Sequence, residues 1–202
     1  MAALLGAALL GLAACGGDDE EAASTAIATA TATSEATQSA SSGGGKKTAP
    51  GAKLAVGDTA HVDMTPLDET DTKKTYPIDA TVLKIERGSL DDFKNIDLDA
   101  QQKQSTPYYV KVRLSNPGGT IPVQSGDPDL KFGGIDDRGQ EQGSITFIGD
   151  FDRCEDAKAP KPFKKGSKYE SCLTYLVPGG GGIESVQWQG SERYILKPVM
   201  WK

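Results

Sequence analysis

One octet fixes the fold class. Tyr108-Tyr109-Val110-Lys111-Val112-Arg113-Leu114-Ser115 places Tyr108, Val110, Val112 and Leu114 on one face of an extended chain, and Tyr109, Lys111, Arg113 and Ser115 on the other. Successive side chains of a strand point to opposite faces, so this period of two reads as a half-buried strand. The run stops at Asn116-Pro117-Gly118-Gly119, where Pro fixes φ and Gly supplies φ > 0 for a tight turn. Runs of the same kind, bounded by Gly, Pro and Asp, predict strands at Thr59–Met64, Ile78–Glu86, Ile121–Val123, Leu130–Ile135, Ser144–Ile148, Lys168–Val177, Ile183–Trp188 and Arg193–Lys197. Pro178-Gly179-Gly180-Gly181-Gly182 reads as a connection between strands. The stretch Ser89–Lys103 is the exception. Its Leu90, Phe93, Ile96 and Leu98 stand at helix-like spacing, which predicts one or two helical turns opened by Ser89 or Asp91 as cap. Seven to nine short strands joined by Pro/Gly-rich turns indicate an all-β, antiparallel, immunoglobulin-like β-sandwich with a short helical insertion.

The material for a core is confined to one region. All thirteen aromatic residues lie between Tyr76 and Trp201, whereas 15–52 has none. The chain divides into a leader (1–14), a linker (15–52) and one folded domain (53–202), too short for a multidomain enzyme. Net charge is −6 over the whole chain. A nucleic-acid binder shows an excess of Lys and Arg, so nucleic acid is excluded as a partner.

Ala2–Ala14 is an unbroken run of Ala, Leu and Gly, shorter than the roughly 20 residues of a spanning helix but suited to the apolar region of a secretory signal. It ends in Leu12-Ala13-Ala14-Cys15-Gly16, which looks like a bacterial lipobox. Small residues admit the signal peptidase, and the Cys15 thiol takes the diacylglycerol. No Lys or Arg precedes the run, which fits a start assigned downstream of the natural one. The expected product is lipid-anchored in the cell membrane through Cys15, facing the extracellular side, because acyl chains on one residue supply stable attachment. The linker after it is rich in Gly, Ala, Ser and Thr, and ten of the nineteen residues in Ser24–Ser42 are Ser or Thr. Such a segment buries too little surface to fold and is expected to be a disordered tether, either a plain spacer or an O-glycosylated stalk. Its first residues include Asp18-Asp19-Glu20-Glu21, which an anionic membrane surface repels.

Two cysteines remain, Cys154 and Cys172. An even pair in an exported domain implies a disulfide. There is no Cys-x-x-Cys, and two Cys without adjacent His make an incomplete zinc set.

The stretch Thr106–Val112 with Asn116–Gly119, the Phe151-Asp152-Arg153-Cys154 and Ser171-Cys172-Leu173 segments, the Ala159-Pro160 and Lys165-Gly166 pairs between them, and the closing Pro198–Lys202 carry a resemblance. Together they resemble the small immunoglobulin-like domain of Gram-positive, especially actinobacterial, lipoproteins. That family is related to the mycobacterial immunoprotective secreted antigens. The resemblance spans about 54–202. It implies a β-sandwich at the cell surface with no established chemistry. The cysteine spacing departs from antibody domains and implies a clip between neighbouring strands or across a hairpin.

No catalytic set, cofactor motif or metal motif stands out. His61 is the sole histidine and reads as a surface or strand residue. The pairs Asp97/Asp99, Asp127/Asp129, Asp136/Asp137 and Asp150/Asp152 fall in predicted loops, where Asp bonds the backbone of turns. None completes a calcium-loop pattern. Lys158, Lys161, Lys164, Lys165 and Lys168 cluster inside the expected disulfide loop. They serve either as contacts to anionic lipid or wall polymer, or as solvated charges that keep a strand edge from aggregating. The chain therefore reads as a non-enzymatic surface domain that meets a protein or the wall. The rival reading is an inhibitory or accessory domain that inserts loop Gly179–Gly182 or Lys158–Lys168 into a secreted hydrolase.

Overall fold

The computed structural model describes residues 45–67, 74–122, 126–147, 151–155 and 157–202. The leader, Cys15 and 16–44 of the tether lie outside the described residues. Eleven strands are present among those described: β1 Lys53–Leu54, β2 Thr59–Met64, β3 Tyr76–Arg87, β4 Thr106–Ser115, β5 Thr120–Ile121, β6 Phe132–Asp136, β7 Glu141–Gln142, β8 Phe163–Lys164, β9 Lys168–Val177, β10 Ile183–Trp188 and β11 Val199–Trp201. One sheet has the order β2-β3-β4-β9 and the other β1-β11-β10-β6-β7, with β5-β8 as a small third. Every paired neighbour is antiparallel except β1–β11. This is the expected all-β sandwich. Its seven strands of three or more residues carry the two layers, and the rest are two-residue edges.

The alternation read in Tyr108–Ser115 builds the first layer. Val110, Val112 and Leu114 of β4 face inward with Ile78, Ala80 and Val82 of β3, all fully buried. An extra residue in β3 between Val82 and Lys84 shifts the register there, which leaves Ile85 opposite Val110 on the inner face. The second layer supplies Phe132, Val186, Trp188, Val199 and Trp201 to the same core. Phe132 stands edge-on to Trp188 at 5.1 Å. The two indoles also tie the layers by polar contacts. Trp188 Nε1–H donates to Asp63 O (3.2 Å) and Trp201 Nε1–H to Asp58 O (2.9 Å), which satisfies two buried donors.

Several local expectations change. Arg193–Lys197 is not a strand: Glu192–Ile195 forms α1, a single helical turn that buries Tyr194. Pro128–Lys131 is a 3₁₀ turn leading into β6. In 144–147 only Ile145 bridges, to Thr174. The predicted turns in Ser89–Lys103 are two 3₁₀ segments, Leu90–Phe93 and Gln102–Gln104. The first is capped reciprocally: Ser89 Oγ accepts from Asp91 N–H, and Asp92 Oδ2 accepts from Ser89 N–H.

The last residues assigned to the linker are part of the domain. Thr48 N–H donates to His61 O, and Thr48 Oγ1 accepts from His61 N–H. Tyr194 Oη–H donates to Thr48 O, and Gly51 N–H donates to Lys197 O. Residues 45–52 thus form a strap along the β2 edge, and the folded region begins earlier than residue 53.

Candidate functional site

The outer face of β4 and β9 carries a second apolar cluster. Tyr109 sits on the face that alternation assigns to solvent, yet it is 2% exposed. Phe93, from the first 3₁₀ turn, and Phe151 cover it at ring distances of 6.4 and 5.9 Å. Phe147 and Phe151 close on Phe93 at 5.6 and 4.9 Å. Cys172 points outward on β9 into this cluster, and Cys154 meets it at disulfide distance, with Cα atoms 5.2 Å apart. Cys154 N–H donates to Phe151 O, so the cysteine pair fixes the segment that presents Phe151.

Above these rings lies an open cleft of about 610 Å³ floored by Ile96, Phe147 and Phe151. Its rim holds Asp92, Asp97 and Asp152 against Lys94 and Arg153. Arg153 is largely engaged already: its guanidinium reaches Glu86 (2.9 Å) and lies 5.3 Å from the centre of the Tyr109 ring. Tyr109 Oη–H donates to Asp92 Oδ2 (2.8 Å). The backbone bond from Ser89 holds the Asp92 carboxyl below its ordinary range against the opposing effect of burial, aided by Tyr109 and Arg153. Burial, then Asp92, pushes the Tyr109 phenol up. Both groups therefore stay in the forms that sustain their bond at neutral pH.

His61 lies elsewhere, on β2. Its Nδ1 meets Asp79 Oδ1 at 2.6 Å across the β2–β3 register, and both are partly buried. Gly45 lies so close over the ring that a Cβ there would come within 2.5 Å of Nε2. Beside it, Lys47 Nζ bonds the buried Asp63 (2.7 Å). Gly45, Lys47, His61 and Asp79 line a pocket of about 210 Å³ with Pro117 and Gly118. A histidine oriented by a carboxylate is two parts of a triad, but no hydroxyl or thiol nucleophile lines that pocket. Sequence reading missed Asp79, which becomes visible as a partner only once the hairpin register pairs it with His61.

The five lysines do not form one group. Lys164, Lys165 and Lys168 surround a tight turn: Ser167 N–H donates to Lys164 O and Gly166 N–H to Asn116 O. Lys161 pairs with Asp127 at 3.4 Å, and Lys158 is exposed earlier in the loop. The other proposed insertion loop is pinned, since Arg138 Nη2–H donates to Pro178 O.

The loop acids divide as well. Asp99 Oδ1 accepts from the N–H groups of Gln101 and Gln102, and Asp136 Oδ1 from those of Arg138 and Gln140, as turn chemistry predicts. Asp129 is buried, as Asp136 is, but it accepts from the Tyr169 and Ser171 hydroxyls (2.7 and 3.2 Å) rather than from a turn backbone alone. Asp150 lies outside the described residues. Among the described residues no group of three or more His, Cys, Asp or Glu is placed to hold a metal ion, and no helix is long and apolar enough to cross a membrane.

The architecture defines a class: a two-layer all-β sandwich, with β3-β4-β9 facing β6-β10-β11 in the manner of immunoglobulin-like domains, and an aromatic outer cluster held at a cysteine pair. No family model matches the chain. No curated protein matches it. Among solved structures the chain is similar to MPT63, a secreted protein from Mycobacterium tuberculosis, with 12% identity and a TM-score of 0.49, over 77% of this chain and 99% of that one.

Proposed function

We propose that the chain is a lipid-anchored, extracytoplasmic interaction domain that binds a partner protein in the aromatic cleft and performs no chemistry of its own. One observation carries this reading: the cysteine pair that holds Phe151 at the cleft also requires an oxidising compartment. The lipobox at Cys15 supports membrane attachment on the outer side. Apolar rings surrounded by a polar rim are the anatomy of a contact surface. Three rim acids face two cations, one of them already engaged by Glu86. The occupant that fits is an extended protein segment with an apolar side chain flanked by Lys or Arg.

Photocrosslinking on intact cells tests this. A photoreactive residue at Asp97 should yield one dominant adduct that disappears with Phe147→Asp and weakens with salt. An adduct pattern unchanged by Phe147→Asp, or matched by a probe at Glu184 on the other sheet, would contradict the reading.

A further inference from the structure

Among the described residues, the three most exposed large apolar side chains are Leu196 (92%), Leu67 (64%) and Ile195 (55%). Isolated exposed leucines are common, but these three share one end of the sandwich. Leu67 lies in the connection from β2 to β3, and Ile195 and Leu196 lie in the connection from β10 to β11. Thr65 N–H donates to Gly190 O (2.7 Å), which ties the two connections together.

The lysine turn stands at the same end. Lys168 pairs with Ser115, the last residue of β4, and Asn116 locks the turn by its Nδ2–H bond to Phe163 O (2.7 Å). Lys164, Lys165 and Lys168 are exposed, and none forms an ion pair among the described residues. Lys46, Arg193 and Lys197 add exposed cations from the strap and around α1. The nearby acids are engaged: Asp63 with Lys47, Asp79 with His61, Asp127 with Lys161, and Glu192 has a partner of its own. Asp68, Glu69 and Asp71 lie outside the described residues.

The tether joins the domain here too, because Gly45 shares a pocket with Pro117 and Gly118 of the β4–β5 turn. Twenty-nine residues of sequence, Gly16–Gly44, separate Cys15 from this end. We propose that this end is a membrane-docking face. Leu67, Ile195 and Leu196 enter the headgroup–acyl boundary of an anionic bilayer, and Lys164, Lys165 and Lys168 pair with its lipid phosphates. Apolar side chains ringed by cations are what an anionic lipid interface binds. A second copy of the chain is disfavoured as occupant, since two such cationic ends repel.

The proposal rests on the lipid-anchored reading for its setting, but its test does not use the acyl group. Residues 15–202 with Cys15→Ala are floated with phosphatidylcholine vesicles, with and without roughly one-third phosphatidylglycerol, at low and high salt. Binding should need the anionic lipid and fall with salt. Replacing Lys164, Lys165 and Lys168 by Ser should weaken it roughly fivefold per lysine, on the order of a hundredfold in all. Leu67→Ser with Leu196→Ser should weaken it at least about tenfold without changing the melting temperature, since both side chains are exposed. No binding, equal binding to neutral vesicles, or binding unaffected by both variants would overturn the proposal. So would a concentration-dependent dimer, broken by Leu196→Ser, in a chain that ignores vesicles. Absence of lipid from native Cys15 would remove the anchor and leave the vesicle result standing by itself.

Discussion

Replacing both Cys154 and Cys172 by Ala removes the clip without leaving a lone thiol. The pair closes a loop with a sequence separation of 18. Cross-linking that interval removes entropy from the unfolded chain, worth about 3 kcal/mol at 25 °C in the chain-entropy model. For a domain of this size, each kcal/mol shifts the melting temperature by about 2–4 °C, so the double variant should melt about 6–12 °C lower. The loss should also be local. Both cysteines pack in the outer cluster with Phe93, Leu98 and Tyr109, and not in the core between the sheets. Amide exchange should therefore accelerate first in 89–104 and 143–155, while β3, β4 and β10 keep their protection. Calorimetry and exchange mass spectrometry read the two effects. A melting point within about 2 °C of the parent, with unchanged exchange over 89–104, would refute the reasoning.

The remaining expectations follow the same geometry. Gly190→Ala would place a Cβ 2.3 Å from the buried Trp188 ring, so overpacking should cost about 1–3 kcal/mol, measured as a drop in urea midpoint without a change in slope. Removing 45–52 strips the partners of His61, Tyr194, Lys197 and Asp63, and should destabilise the domain by roughly 1 kcal/mol per hydrogen bond lost, read by thermal melt. Burial alone would raise the Asp136 pKa, but the backbone N–H of Gln140 and the Arg138 guanidinium and N–H together lower it. Its stabilising contribution is therefore complete above the unfolded value of about 3.9 and is lost as pH falls through the lower folded value. Urea midpoints followed into acid should show that loss, and Asp136→Asn should flatten it.

Strands with strong alternation and clear stops were legible: Thr59–Met64, Lys168–Val177 and Ile183–Trp188 form with the bounds read from sequence. Arg193–Lys197 offers a short apolar run, Tyr194-Ile195-Leu196, but Tyr194 is pulled inward to bond Thr48 O, and the chain closes a helical turn that leaves Ile195 and Leu196 outside. Tertiary contact overrode the local pattern there. The burial of Tyr109 was hidden for a related reason. Period two says which residues share a face, and not whether distant Phe93 and Phe151 will cover it. The strap went unread because Gly45–Ala52 has no apolar period; its attachment is by hydrogen bonds, which composition does not show. The lysines were visible in sequence, but their division between a rigid turn and an ion pair with Asp127 was not.

Intact mass of the protein released from its native membrane is the most direct measurement. The account predicts a chain that starts at Cys15, carries acyl groups on that residue and lacks the two hydrogens that a Cys154–Cys172 bond removes. A mass of unprocessed protein from Met1 with three free thiols would contradict it.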